Sequence, residues 1–77
     1  MYLVLEIQTN TDGTVSTIIT PYNDRANAES KYHTILAAAA ISQVPCHSAV
    51  MMTNTGAVLA AQYYEHVSGM TGGGTGE

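Results

Sequence analysis

A single helical stripe stands between two pairs of strand-like segments, and this order constrains the fold more than any other feature of the chain. Apolar residues recur at helical spacing from Arg25 onwards, and Ser42 and Pro45 interrupt the pattern. Asp24 lies just before the stripe, where its carboxylate can cap the helix N-terminus. The face predicted to pack on a sheet consists of Ala28, Tyr32, Ile35, Leu36 and Ala39.

Four segments around this helix have strand patterns: 2–9, 14–20, 44–53 and 57–67. In the first, Leu3, Leu5 and Ile7 alternate with the other residues, and we expect this face to be core. Turns rich in Asn, Asp and Gly join the segments in pairs, and Pro21 is expected to end the second strand. The sequence therefore predicts an α+β fold, ββαββ, with an antiparallel sheet of two hairpins and one central helix packed on one face.

The length of 77 residues leaves room for a single domain, predicted at 1–67, followed by a flexible Gly-rich tail at 68–77. So small a core usually needs a disulfide, a metal or a second subunit. Cys46 is the only cysteine, so an intrachain disulfide is excluded. Charged residues make up only 10% of the chain, which suggests that part of the surface is covered. We expect a homo-oligomer.

The balance of charge excludes some classes of partner. Two basic residues against six acidic ones give a net charge of −4, so the chain has no cationic patch for nucleic acid or anionic membranes. The N-terminus has no basic segment before its apolar stretch, and no apolar run reaches membrane-spanning length. We expect a cytoplasmic protein without direct nucleic-acid or membrane binding.

No group of residues has the spacing of a catalytic or metal site. Cys46 and His47 are neighbours on a predicted strand and should point to opposite faces, which argues against a dyad. A nucleophilic Cys46 served by His33 or His66 remains a minor alternative. His33 follows Glu29 by four residues, so the two are expected to pair on the helix surface. The sequence predicts no catalytic residue, no metal ligand and no cofactor.

The predicted sheet is apolar on both faces, although a single helix can cover only one of them. Tyr63 and Tyr64 are consecutive on a strand, so one must point towards the helix and the other away. Tyr2, Val4 and part of the Met51–Met52 pair are candidates for the face away from the helix. That face is interpreted either as a dimer interface or as a surface for a ligand or partner.

A second candidate surface lies on the helix, where Ala37, Ala38 and Ile41 extend beyond the core stripe. These residues either reflect helix propensity alone or form a face packed on another subunit. The complete set of interface candidates is Tyr2, Val4, Ala37, Ala38, Ile41, Tyr63 and Tyr64.

Residues 22–33, 36–45 and 47–52 resemble small proteins, without assigned activity, that are encoded in phages and prophages of gut bacteria. The resemblance covers most of residues 2–67 and implies no site residues. It implies a virion accessory protein, or a binder in the host cytoplasm that blocks or sequesters a component of host defence. We therefore expect a non-enzymatic oligomer that binds a host protein or a small signalling ligand. The alternatives are a virion structural role and, least favoured, a small enzyme.

Overall fold

The computed structural model describes residues 1–66, and the predicted tail at 68–77 lies outside them. It confirms the ββαββ order and the α+β class. The elements are β1 Tyr2–Thr9, β2 Val15–Tyr22, α1 Arg25–Ala40, β3 Cys46–Thr53 and β4 Val58–Glu65. All neighbouring strands are antiparallel, in the order β2-β1-β3-β4, so the first strand of each hairpin lies in the centre.

The two hairpin turns have the same hydrogen-bond pattern. Asn10 N–H donates to the Thr14 carbonyl at 2.8 Å, and Gly13 N–H donates back to the Asn10 carbonyl at 3.0 Å. The second turn repeats both bonds between Thr53 and Ala57 and between Gly56 and Thr53. Gly13 and Gly56 have φ of 90° and 103°, a region that side chains with a Cβ rarely adopt, so glycine fits both turns.

The helix follows the sequence prediction closely. The Asp24 carboxylate accepts the Asn27 N–H at 3.0 Å, which confirms the N-cap. The predicted stripe lies against the sheet, with four of its members buried and Leu36 packed against the core cluster. Burial raises the pKa of Tyr32 because the phenolate would be poorly solvated there.

Pro21 lies inside β2 instead of ending it. The strand is at the edge of the sheet, and among residues 1–66 no strand lies on its outer side that would need the missing N–H. The prediction that Pro21 terminates the strand was therefore wrong for a topological reason, because the sequence did not show which strands are edges.

The helix covers the opposite face of β1 from the one predicted. Val4 is 1% exposed and belongs to the core cluster, and Tyr2 packs against that cluster. Leu3, Leu5 and Ile7 therefore point away from the helix and remain half-buried by their neighbours on the sheet. The expected Leu–Leu–Ile core was wrong, and so was the assignment of Tyr2 and Val4 to the uncovered face.

Candidate interaction surface

An apolar surface lies on the sheet, opposite the helix. We call it the outer face, and it consists of the strand residues whose alternation directs them away from α1. Its members are Leu3, Leu5, Ile7 and Thr9 in β1; Val15, Thr17, Ile19 and Pro21 in β2; Cys46, Ser48, Val50 and Met52 in β3; and Val58, Ala61, Tyr63 and Glu65 in β4, where the register shifts at Leu59 so that Val58 lies opposite Met52.

Register places the largest apolar side chains of the outer face side by side. Leu5 is directly opposite Ile19 on one neighbouring strand and Val50 on the other, and Val50 is in turn opposite Ala61. Ile19 and Tyr63 are well exposed on the two edge strands, with Tyr63 at 63%. An apolar band therefore crosses all four strands at mid-height.

The polar members of the outer face are neutral, with a single exception. Ser48 Oγ is 3.4 Å from the Ile7 carbonyl, to which its hydroxyl donates, so part of its polarity is satisfied inside the sheet. Glu65 is the only charged residue on the outer face within the four strands, and it lies at a corner, where it pairs with Cys46. The outer face therefore combines apolar area with almost no charge.

The two consecutive tyrosines separate as predicted. Tyr64 is opposite His47, whose side chain is buried under the helix, so Tyr64 lies on the helix side and Tyr63 on the outer face. Of the seven predicted interface residues, Tyr63 is the one that the structure places on the outer face.

The helix candidates are exposed but form a small surface. Ala37 and Ala38 are exposed, and Ile41, the residue after the helix, is 84% exposed. Ala side chains offer little area, so this surface depends mainly on one isoleucine. Single exposed apolar residues are common on protein surfaces and need no partner.

A cluster of polar side chains between the sheet and the C-terminal half of the helix was missed by the sequence analysis. His47 is 3% exposed, and its Nε2 lies 2.8 Å from Glu6 Oε2. Gln8 Nε2 donates to the same carboxylate oxygen at 3.2 Å and lies 3.5 Å from His47 Nε2. Cross-strand register brings the three together, because Gln8 is directly opposite His47 and Glu6 is one alternate position along β1.

His47 uses only one of its two ring nitrogens in this polar cluster. An Nε2–H that donates to Glu6 leaves Nδ1 as an acceptor, and Nδ1 has no hydrogen-bond partner within residues 1–66. Cys46 points to the outer face, so the sheet separates its thiol from the imidazole of His47, as the sequence indicated. In the described part of the chain, no group of three or more His, Cys, Asp and Glu is arranged to hold a metal ion.

The other two histidines, His33 and His66, make contacts with the helix. His66 Nε2 donates to the Ala39 carbonyl at 2.7 Å, near the helix C-terminus, where the same carbonyl also accepts the Ser42 N–H at 3.2 Å. His33 stacks edge-on against Tyr32. The predicted pairing of His33 with Glu29 was wrong, because the Glu29 carboxylate instead meets Arg25 Nε at 3.0 Å one turn earlier.

Comparisons with known proteins identify no relative. No family model, no curated protein and no solved structure matches the chain. Among residues 1–66, no helix is long and apolar enough to cross a membrane.

Proposed function

We propose that the protein is a non-enzymatic binding protein that acts as a homo-oligomer, with the outer face as its contact surface. One observation carries the proposal: an apolar face with almost no charge forms one side of the sheet, and the single helix packs on the other. Contiguous apolar patches of more than a few hundred Å² are uncommon on soluble monomers and usually mark interaction sites.

The small core supports the same proposal. The fully buried apolar residues of the described part are Val4, Ala28, Tyr32, Ile35, Ala39, Ala49 and Met51, and three of them are alanines. Alanine contributes little apolar area, so this core stabilises the fold only modestly. Covering the outer face would add a second apolar core to the same sheet.

When the outer face is covered, the charged groups that remain on the surface are mainly acidic, and they favour a basic partner protein. Arg25 is in an ion pair with Glu29, which leaves Lys31 as the only other Lys or Arg side chain of the chain. Asp12 and Asp24 are exposed at the tip of the first hairpin and at the N-terminus of the helix, outside the strands that form the outer face. The resemblance to phage-encoded proteins supports a partner in host defence, and an acidic surface attracts basic proteins that themselves bind nucleic acid.

Sedimentation of the full chain at micromolar concentration tests the oligomer. We expect a mass of at least twice 8.1 kDa, and a mass near 8.1 kDa would contradict the proposal. Leu5→Glu buries a carboxylate in the assembled outer face and should lower the mass to that of the monomer. Ala38→Glu places the same charge on the exposed helix surface and should leave the mass unchanged. Circular dichroism of both variants checks that they remain folded.

The three other outcomes have distinct meanings. If Ala38→Glu dissociates the oligomer and Leu5→Glu does not, the contact surface is the helix and the assignment to the outer face is wrong. An assembly of many copies would favour a virion structural role. Turnover of a substrate that is abolished by Cys46→Ser would contradict the non-enzymatic assignment.

Capture from host lysate at two salt concentrations tests the acidic surface. A basic protein that is retained at low salt and released at about 1 M salt, where the Debye length falls to about 3 Å, would support it. The captured protein should be identified by mass spectrometry. Binding of an acidic protein, or binding indifferent to salt, would contradict electrostatic recognition.

A further inference from the structure

We infer that the oligomer is a closed dimer in which the outer faces of two copies pack against each other as a two-sheet sandwich, with both helices on the outside. This inference rests on the proposed homo-oligomer and adds the partner, the stoichiometry and the geometry. The partner of the outer face is a second copy of the chain.

Charge favours a second copy over a different protein. A surface that selects a heterologous partner usually carries charged groups that complement it. Within the four strands, the outer face has only the carboxylate of Glu65, at a corner. Two copies of such a face bring apolar atoms together without opposing like charges at the centre.

Symmetry keeps the two Glu65 carboxylates apart. Sheets in a sandwich keep their strand directions within about 30° of each other. A two-fold axis lying between two aligned sheets then runs either along the strands or across them. In both cases a corner residue faces a different corner of the other copy, so Glu65 does not face its own equivalent.

The area is sufficient for a dimer. Each strand has eight residues, so at about 3.3 Å per residue and 4.8 Å between strands the face measures about 26 by 19 Å. The flat footprint is about 500 Å² per copy, or about 1,000 Å² for both copies, before side-chain relief is added. Specific interfaces start at about this size. The whole outer face must therefore take part in the contact for the dimer to be stable.

Two other ways to cover the outer face are less suitable. Residues 67–77 contain only two large apolar side chains, Val67 and Met70, which are too few to cover a band that crosses four strands. Pairing of the free edges of β2 or β4 between copies would satisfy backbone groups but would leave the outer face open. Sheet-on-sheet packing removes the whole band from water and closes after two copies.

Thiol labelling at the centre of the outer face tests this geometry. Any two-fold axis through the middle of the sheet passes near Leu5 and Val50, so both are expected to lie at the centre of the interface. The test variant is Val50→Cys with Cys46→Ser, reacted with a maleimide at protein concentrations above and below the dissociation constant of the dimer. The control is Ser30→Cys with Cys46→Ser, at an exposed position on the helix.

We expect the Val50→Cys thiol to react about tenfold more slowly in the dimer than in the diluted monomer, because the partner copy covers it, whereas the control thiol should react at the same rate in both. Leu5→Cys with Cys46→Ser repeats the test if Val50→Cys does not fold or does not assemble. A dimeric mass with both central thiols labelled as fast in the dimer as in the monomer would overturn the sandwich but leave the homo-oligomer in place. A monomeric mass of the unmodified chain would contradict both the sandwich and the homo-oligomer.

Discussion

Both faces of the sheet carry many apolar residues, but their surroundings differ. The helix-side face combines Val4, Ala49 and Met51 with the polar cluster of Glu6, Gln8 and His47. The outer face has more large aliphatic residues and fewer ionisable groups, yet no element of the described chain covers it. The more hydrophobic face of a strand is therefore not always the face that its own domain buries. An element from another molecule can cover it.

The alanine content of the helix partly explains which face of the sheet it packs on. Ala28 and Ala39 are completely buried, and such short side chains let the helix approach the sheet closely. Polar residues on the same face bond to each other, and Glu6 Oε2 lies 2.8 Å from His47 Nε2. This hydrogen bond offsets part of the cost of placing polar side chains between helix and sheet.

The largest expected loss of stability follows truncation of a residue buried between the helix and the sheet. Ile35→Ala should lower the free energy of unfolding by about 2–5 kcal/mol, because Ile35 is buried between helix and sheet. Ile41→Ala is the matched control, since the same truncation at an exposed position should change stability by less than about 0.5 kcal/mol. Urea denaturation measures both, and equal effects would mean that the helix does not pack as described.

Truncation of two adjacent residues on β1, Val4 and Leu5, compares directly how much each face of the sheet contributes to stability. Val4→Ala should cost about 2 kcal/mol at every protein concentration, because two methyl groups are lost from a core within one chain. Leu5→Ala should cost little in dilute solution and more as the concentration rises, because the partner copy provides its burial. Thermal melts over a concentration series provide the measurement. A Leu5→Ala cost that does not depend on concentration would argue against a shared core.

A substitution in the polar cluster of Glu6, Gln8 and His47 is expected to have a smaller effect on the free energy of unfolding. Glu6→Gln removes the charge that accepts the His47 Nε2–H and should destabilise the fold by about 1–2 kcal/mol. Glu29→Gln removes an exposed carboxylate from an ion pair with Arg25 and should cost less than about 0.5 kcal/mol. Urea denaturation at pH 7 distinguishes them, and a Glu6→Gln variant as stable as the control would show that the cluster contributes no net stability.

The smallest expected effect is at the first hairpin tip. Hydrogen bonds from the Thr14 hydroxyl and N–H hold the pKa of Asp12 below its usual value of 3.8. The folded pKa is lower than the unfolded one, so this contribution is present above about pH 4 and lost as the pH falls through the folded pKa. The free energy of unfolding of Asp12→Asn should fall less steeply between neutral and acid pH than that of the unmodified protein, as measured by urea denaturation. An unchanged acid slope would contradict the role assigned to these bonds.

The sequence predicted the parts of the fold that depend on local chemistry. The Asp24 cap, the helical stripe and the two glycine turns are each determined by a few neighbouring residues, and the structure confirms them. The face assignment failed because Leu3, Leu5 and Ile7 form a better apolar alternation than Tyr2 and Val4, and alternation alone does not reveal which face the helix covers.

The polar cluster could not be predicted for a different reason. Glu6 and His47 are 41 positions apart, and their contact depends on the register between β1 and β3. One signal was available: polar residues at positions 6, 8 and 47 follow the alternation of Val4 and Ala49. Paired polar side chains on one face of two strands can indicate a buried bond as well as a solvated face.

The central claim is that the outer faces of two copies share one core, and nuclear Overhauser effects between differently labelled copies test it most directly. In an equimolar mixture of labelled and unlabelled full chain, we expect intermolecular contacts among the methyl groups of Leu5, Val50 and their outer-face neighbours. None should involve Ile35, which is buried within one chain. Intermolecular contacts confined to Ile41, or none at all in a sample of proven dimeric mass, would contradict the claim.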